Sequence, residues 1–98
     1  RPNCENCNKD LPANALDAMI CSYECTFCCD CVEQILENVC PNCGGGFVPR
    51  PIRPYNPWRA GVSLQHQPAS TTPVNKPVDK INHQGFKVNL TAISPHER

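Results

Sequence analysis

The sequence predicts a small α+β domain that is cross-linked through its cysteines and followed by an extended or disordered C-terminal tail. The chain has 98 residues, of which nine are cysteine and eleven are proline. A domain of about 50 residues buries little apolar surface and usually needs metals, disulfides or assembly to fold. All the cysteines lie between Cys4 and Cys43. We therefore assign the domain to residues 1–48, a proline-rich strap to 49–60 and a mostly disordered tail to 61–98.

The cysteines occur as four closely spaced pairs, a pattern typical of metal sites. In a C-x2-C turn both sulfurs face one ion, and a second pair completes a zinc tetrahedron with Zn–S distances of about 2.3 Å. Eight paired cysteines predict two zinc ions, and only Cys29 lies outside the series. The predicted metal ligands are Cys4, Cys7, Cys21, Cys25, Cys28, Cys31, Cys40 and Cys43.

The cysteine usage also indicates a compartment. The number of cysteines is odd, their pairs repeat, and the sequence shows neither a signal-peptide pattern nor a long apolar run. These features favour a reducing environment, in which thiols bind metals more often than they form disulfides. We therefore expect a cytoplasmic protein that does not enter a membrane, and the number of its subunits stays open.

A short helix is expected at residues 31–38. Asp30 can cap its N-terminus, and Glu33 follows three residues later, as in a capping box. Apolar residues recur at i, i+3, i+4 and i+7 and so share one face of the helix, which predicts the core. That core consists of Val32, Ile35, Leu36 and Val39, together with Phe27, Ile20 and Met19.

Charge and proline content divide the chain near residue 48. Residues 1–48 contain two basic and seven acidic residues, a net charge of −5, and the rest of the chain carries the balancing +5. The prolines of "PRPIRPYNPWRAG" favour an extended, polyproline-like strap, and residues 61–80 have the polar composition of disordered segments. Only Phe86, Val88 and Leu90 alternate with polar residues, which predicts one short strand.

The order of the cysteine pairs resembles the cross-brace of the RING finger family. That order is a pair, a long loop, two close pairs, a helix-length gap and a last pair, and the stretches "CTFC" and "CPNC" agree with it. The resemblance implies a RING-like α+β domain with two zinc sites, one short helix and a small β-hairpin. It also implies interleaved ligand sets, one of Cys4, Cys7, Cys28 and Cys31 and the other of Cys21, Cys25, Cys40 and Cys43.

Two features depart from the pattern of RING ubiquitin ligases, which hold a conjugating enzyme. That family usually has a large apolar residue just before its second ligand, where this chain has Asn6. The side chain that commonly follows the last ligand is replaced by a run of glycines, Gly44 to Gly46. Both departures argue against a ligase-like scaffold.

A closer resemblance covers residues 1–54. The stretches "RPNCENC", "DLP", "AMICS", "ECTFC" and "CPNCGG", followed by "RPIRP", are similar to the bacterial cysteine-rich family catalogued as domain of unknown function 1272. This resemblance implies eight metal-binding cysteines and a bacterial, cytoplasmic origin. It brings no known activity with it.

The sequence favours a non-catalytic protein-interaction or adaptor module that binds an unidentified protein partner. Four thiolates around zinc leave no coordination position for water, and residues 1–48 contain no histidine that could act as a base. Their negative charge also disfavours contact with phosphates. Nucleic-acid binding is therefore not expected of this domain.

Besides the ligase-like scaffold, three alternatives stay open. The run Cys25-x2-Cys28-x2-Cys31 resembles the start of a ferredoxin cluster site, although the next cysteine follows after eight residues and not after three. Thiol redox chemistry is possible at a C-x2-C pair or at Cys29, although nearby acidic residues disfavour a thiolate. The tail residues that interleave cations with rings can stack on single-stranded nucleic acid. These residues are Arg50, Arg53, Tyr55, Trp58 and Arg59.

Overall fold

A three-stranded antiparallel sheet lies at the centre of the cysteine-rich domain. In the computed structural model, which describes residues 1–98, the strands are β1 (Ala18–Ile20), β2 (Thr26–Cys28) and β3 (Val48–Pro49). Their order in the sheet is β2-β1-β3. Met19 of β1 lies opposite Phe27 of β2 in the register of the first pair. The α+β class is confirmed, and the predicted hairpin is the β1–β2 part of a larger sheet.

The predicted helix is present, but it begins earlier in the chain and is partly a π-helix. α1 (Cys29–Cys31) follows β2 directly and continues as a π-helix over Val32–Leu36. The prediction that Asp30 caps the helix was wrong, because the last residue of β2 occupies the cap position and Asp30 lies in the first turn. The N–H of Cys29 instead donates to the carbonyl of Asp17 at 2.9 Å. A backbone carbonyl thus replaces the side-chain cap.

The helical segment ends at two residues with left-handed backbone conformation. Glu37 and Asn38 have φ values of 49° and 59°, which stops the helix and reverses the chain. The side-chain oxygen of Asn38 then accepts a hydrogen bond from the N–H of Phe47 at 2.9 Å. This turn carries Val39 into the core and Cys40 to the second metal-site turn.

The core is small, and half of it is cysteine. Phe27 is 1% exposed and packs edge-to-face on Phe47, with ring centroids 5.5 Å apart. The main buried cluster has twelve residues, of which six are cysteines. The other six are Leu11, Ala18, Phe27, Val32, Leu36 and Phe47. The apolar part of the core is therefore too small to hold the domain together without the cysteines.

Three residues that were predicted to be core are only half-buried. They are Met19, Ile20 and Ile35, and they stay half-buried because few elements are available to cover them in so small a domain. Leu11 and Phe47 are buried and were not predicted. Neither lies in a periodic stretch that would have marked it.

The C-terminal part of the chain contains a helix where the sequence predicted disorder and a strand. α2 (Lys80–Leu90) follows Asp79, whose carboxylate accepts two hydrogen bonds from backbone N–H groups of the first turn, both at 3.1 Å. The predicted strand over Phe86–Leu90 was wrong, because a helix capped by Asp79 extends through these residues. A 3₁₀ turn follows at Pro95–Glu97.

The segment between β3 and α2 contains no helix or strand. An isolated bridge joins Arg59 to Val62. The division of the chain at residues 48 and 60 stays a prediction. None of the helices combines the length and the apolar content that crossing a bilayer requires.

Candidate metal centre

Four cysteine sulfurs from two separate stretches of the chain meet beside β2. Each Sγ atom lies within 4.8 Å of the other three, and the Sγ atoms of Cys7 and Cys28 are 3.8 Å apart. Zinc with Zn–S distances of about 2.3 Å requires sulfurs about 3.8 Å from one another. The donor set and its spacing therefore fit zinc. These residues are called cluster A: Cys4, Cys7, Cys28 and Cys31.

Cluster A is assembled from the N-terminal turn and the junction of β2 with α1. The turn is closed by Asn8, whose N–H donates to the carbonyl of Cys4 at 2.9 Å and whose φ is 63°. Cys28 ends β2, and Cys31 ends α1 one helical turn later. Residues three apart lie on the same side of a helical turn, so both sulfurs face the N-terminal turn.

A second group of sulfurs, called cluster B, contains Cys21, Cys40 and Cys43, all within 4.8 Å of one another. Cys21 follows β1, and the other two flank the turn after the helical segment. In that turn the N–H of Gly44 donates to the carbonyl of Cys40 at 2.8 Å. Gly44 has a φ of 79°, a conformation that favours glycine.

Cys25 lies next to cluster B and not within its tight group. Its sulfur accepts a hydrogen bond from Nδ2 of Asn42 at 3.4 Å. Burial raises the pKa of the Cys25 thiol, and the adjacent Cys21 thiol raises it further. The Cys21–Cys25 pair has three intervening residues, and the turn between them includes Glu24 with a φ of 64°. Of the eight predicted ligands, the structure brings seven into two groups and leaves the eighth beside the second.

Two asparagine side chains donate hydrogen bonds to cysteine sulfurs. Nδ2 of Asn6 donates to Sγ of Cys31 at 3.3 Å, and Asn42 makes the corresponding bond to Cys25. Both asparagines directly precede the second cysteine of a C-x2-C turn. The sequence analysis treated Asn6 only as a departure from the RING pattern. The repeated position of asparagine was the signal that would have revealed this role.

Backbone N–H groups also point at the sulfurs of cluster B. The N–H of Tyr23 donates to Cys21 and the N–H of Gly45 donates to Cys43, both at 3.4 Å. Hydrogen bonds to sulfur stabilise the thiolate, which is the form that binds a metal. Each cluster is therefore surrounded by amides that suit metal-bound thiolates.

In the metal-free chain, the thiols of a cluster oppose one another's ionisation. Burial acts to raise the pKa of Cys4, but hydrogen bonds from backbone N–H groups outweigh it, so that this pKa is lowered. Burial raises the pKa of Cys31, and the neighbouring Cys28 thiol adds to the rise. Burial likewise raises the pKa of Cys40. A divalent cation removes this conflict because it stabilises all thiolates of a site together.

Cys29 belongs to neither cluster. It is half-buried, and burial, followed by the charges of Glu33 and Asp17, raises the pKa of its thiol. A raised pKa reduces the thiolate population that redox chemistry needs. The acidic surroundings thus act in the direction that the sequence predicted.

A family of proteins of unknown function, DUF1272, matches residues 1–53, which is more than half of the chain. The chain belongs to the DUF1272 family. The resemblance to DUF1272 found in the sequence is confirmed, and the match covers both clusters and ends within the proline-rich strap.

An uncharacterised protein of Rhizobium meliloti (strain 1021) is 53% identical to this DUF1272 chain over 77 residues. The aligned part covers 79% of this chain and 84% of that protein. Because 77 residues cannot all lie within residues 1–53, the similarity extends into the C-terminal part. No solved structure matches the chain.

Proposed function

We propose that this chain is a non-catalytic protein-interaction or adaptor module, held together by two zinc ions in a RING-like cross-brace. The observation that supports this most is the alternation of the clusters along the chain. The first and third cysteine pairs form cluster A, and the second and fourth pairs contribute to cluster B. Cys25 lies close enough to Cys21 to affect its pKa, and it is the proposed fourth ligand of the second site.

Zinc is favoured over an iron–sulfur cluster because the ferredoxin-like run of cysteines is divided. Cys28 and Cys31 belong to cluster A, whereas Cys25 lies beside cluster B. A cluster built on that run needs all three sulfurs at one centre. Two separate sites, one of four sulfurs and one of three with Cys25 beside them, suit structural zinc, which is tetrahedral and closed.

An interaction role follows from the closed sites and from the side chains around them. Four thiolates occupy every position of tetrahedral zinc and leave none for a substrate. Tyr23, in the loop between Cys21 and Cys25, is 75% exposed, and exposed tyrosines are frequent anchors of protein interfaces. The proposed compartment is the cytoplasm, where free thiols stay reduced.

Metal content tests the first part of this proposal. The chain is purified anaerobically without added metal, and native mass, elemental composition and visible absorption are measured on one sample. We expect two zinc ions per chain and no colour. Iron with visible absorption, or a metal-free chain with disulfides, would contradict the proposal and direct attention to electron or thiol exchange.

Partner capture from an extract of the source cells tests the second part. Replacing Tyr23 with alanine keeps its backbone N–H bond to Cys21 and removes only the exposed ring. We expect the captured amount of at least one protein to be about tenfold lower with Tyr23→Ala than with the wild-type chain. Tyr55→Ala, which alters a tyrosine that is 64% exposed in the proline-rich strap, is the matched control. Equal capture by all three chains would argue against this surface.

A further inference from the structure

The C-terminal residues 74–98 run over the face of the domain that joins the two clusters, and this segment is called the latch. Its first part is bonded to the N-terminal turn of cluster A. Nδ2 of Asn3 donates to the carbonyl of Val74 at 2.8 Å, and the N–H of Lys76 donates to the carbonyl of Glu5 at 2.8 Å. The N–H of Val78 donates to Oδ1 of Asn6 at 2.9 Å.

Asn6 connects cluster A with the latch. One end of its amide donates to the sulfur of Cys31 and the other accepts from Val78. A single side chain thus joins the metal-site turn to the chain's own C-terminal segment.

Three cationic or polar latch side chains bind the C-terminal end of the helical segment. Nε2 of His83 lies 3.1 Å from the carbonyl of Leu36. Nζ of Lys87 donates to the carbonyl of Ile35 at 3.2 Å, and Nη1 of Arg98 donates to the carbonyl of Asn38 at 2.7 Å. Carbonyl groups at a helix C-terminus carry partial negative charge, so donors of this kind are favoured there.

The glycines after cluster B make room for the latch. A Cβ atom on Gly44 would lie 3.3 Å from Cδ1 of Leu90, and one on Gly46 would lie 2.9 Å from Cβ of Pro95. A side chain at Gly46 would therefore force the 3₁₀ turn away from the domain. The absence of side chains at Gly44 and Gly46 therefore allows the close approach of the latch.

The latch is held by polar and charged contacts more than by apolar burial. His83 and Lys87 are buried, whereas Ile81 is 85% exposed and Val88 is 60% exposed. A helix that belongs to a hydrophobic core shows the opposite distribution. Nζ of Lys87 also lies 3.5 Å from a carboxylate oxygen of Glu37. Contacts of this kind stabilise a segment less than apolar burial does.

The opposite net charges of the domain and the latch also favour binding of the latch. The domain carries −5, and the latch itself carries +2, from Lys76, Lys80, Lys87 and Arg98 against Asp79 and Glu97. Two zinc ions held by eight thiolates would make the domain more negative by about four charges. Attraction between the domain and its basic C-terminal part is therefore strongest in the metal-loaded chain.

We propose that the latch is a self-bound ligand of the cysteine-rich domain, which undocks without unfolding the domain and gives way to a basic, helical segment of a protein partner. The inference rests on the proposed interaction function and adds the surface and the kind of partner. A partner would present cations to the carbonyl groups of residues 35–38, as Lys87 and Arg98 do in the structure.

Hydrogen exchange of the metal-loaded full chain tests undocking without any partner. We expect the amides of α2 to exchange faster than those of β2, and to exchange faster still when salt is raised from about 0.05 M to about 0.5 M. The amides of β2 should respond little, because metal and core contacts hold them. Exchange of α2 and β2 at one common, salt-independent rate would show that α2 opens only with the whole domain, and would overturn the proposal.

Three variants are expected to change the exchange rate of α2 in three different ways. Lys87→Met keeps the buried stem and removes the charged contacts, so exchange of α2 should rise roughly tenfold. Lys80→Met alters an exposed lysine of the same helix and should leave the rate unchanged. Gly85→Ala meets no atom within 4 Å and removes a glycine from the helix interior, so exchange should fall about fivefold. Equal rates in Lys87→Met and Lys80→Met would contradict the role of the charged contacts.

A synthetic peptide of residues 74–98 tests the chemistry of the displacing partner. It should bind the metal-loaded Lys87→Met chain more tightly than the wild-type chain, because the variant's own latch competes less well. The same peptide with Lys87→Met should bind about tenfold more weakly, and equal binding of the two peptides would overturn the partner chemistry. Native mass of each sample reports metal content. If the chain holds two metals but exchange of α2 and peptide binding do not change as expected, only this inference is contradicted. If the chain holds no metal, the proposed function is contradicted.

Discussion

Removal of metal by a chelator is expected to unfold the cysteine-rich domain. Six of the twelve residues in its buried cluster are cysteines, so the apolar side chains alone cannot replace the cross-links. Binding of structural zinc contributes about 10–16 kcal/mol in small zinc domains at neutral pH, which exceeds the stability of most domains of this size. Without metal, the free energy of unfolding should fall below zero.

The measurement is far-ultraviolet circular dichroism together with thiol titration, both made anaerobically and without added reductant. We expect loss of the ordered signal and reaction of all nine cysteines with a thiol reagent, and recovery of both properties when zinc is returned. The control is the same protein with chelator already saturated by zinc. An unchanged spectrum after complete metal removal would show that packing alone maintains the fold.

Replacement of Cys28 by serine is expected to remove one metal, whereas the same change at Cys29 is not. Cys28 is 3% exposed and its sulfur belongs to cluster A. Cys29 is the next residue but belongs to neither cluster. Serine is close to cysteine in size and is a poor ligand for zinc, so the change removes a metal bond with little steric effect. The melting temperature of Cys28→Ser should fall by more than about 10 °C.

Native mass spectrometry and thermal denaturation compare the two variants. The expected result is one bound metal for Cys28→Ser and two for Cys29→Ser, with the melting temperature of the latter close to that of the wild-type chain. The double variant establishes whether Cys29 compensates for the loss of its neighbour. If the two single variants lose metal equally, the assignment of Cys28 to cluster A is wrong.

The cysteine grouping is the part of the structure that the sequence predicted best. A C-x2-C turn fixes the relative position of two sulfurs over a few bonds, so local geometry suffices for Cys4 with Cys7 and for Cys40 with Cys43. The grouping is least tight at Cys25, where the pair has one additional intervening residue. Which pairs share a site is a long-range property, and that part came from the RING resemblance.

The C-terminal helix was missed because its sequence fits two periodicities. Phe86, Val88 and Leu90 alternate as in a strand, while Phe86 and Leu90 are also four residues apart, as are His83 and Lys87. The alternating stretch covers only residues 85–90, which is too short to distinguish a strand pattern from a helix pattern. The decision depends on contacts between residues 83–98 and residues 35–46, which no local pattern records. The cap at Asp79 was the one local signal, and it lies outside the apolar residues that were considered.

The half-buried state of Ile35 and the burial of Leu11 have a similar explanation. Periodicity correctly predicted that Val32, Leu36 and Val39 share a buried face. It cannot predict how far a neighbouring loop covers the margin of that face. Leu11 lies in such a loop, and its burial depends on the N-terminal turn that closes around it.

The alternation of the clusters fixes an order of events on a nascent chain. Cluster A has its last sulfur once Cys31 has been synthesised, whereas cluster B must wait for Cys43. The latch lies C-terminal to both clusters, and its contact through Arg98 can form only after Arg98 has been synthesised. A metal at cluster A would thus find all its ligands while cluster B still lacks two of its sulfurs. Because Cys21 lies between the two parts of cluster A, any single cut of the chain between Cys7 and Cys40 breaks at least one cluster, and the domain cannot be divided into two independent one-metal units.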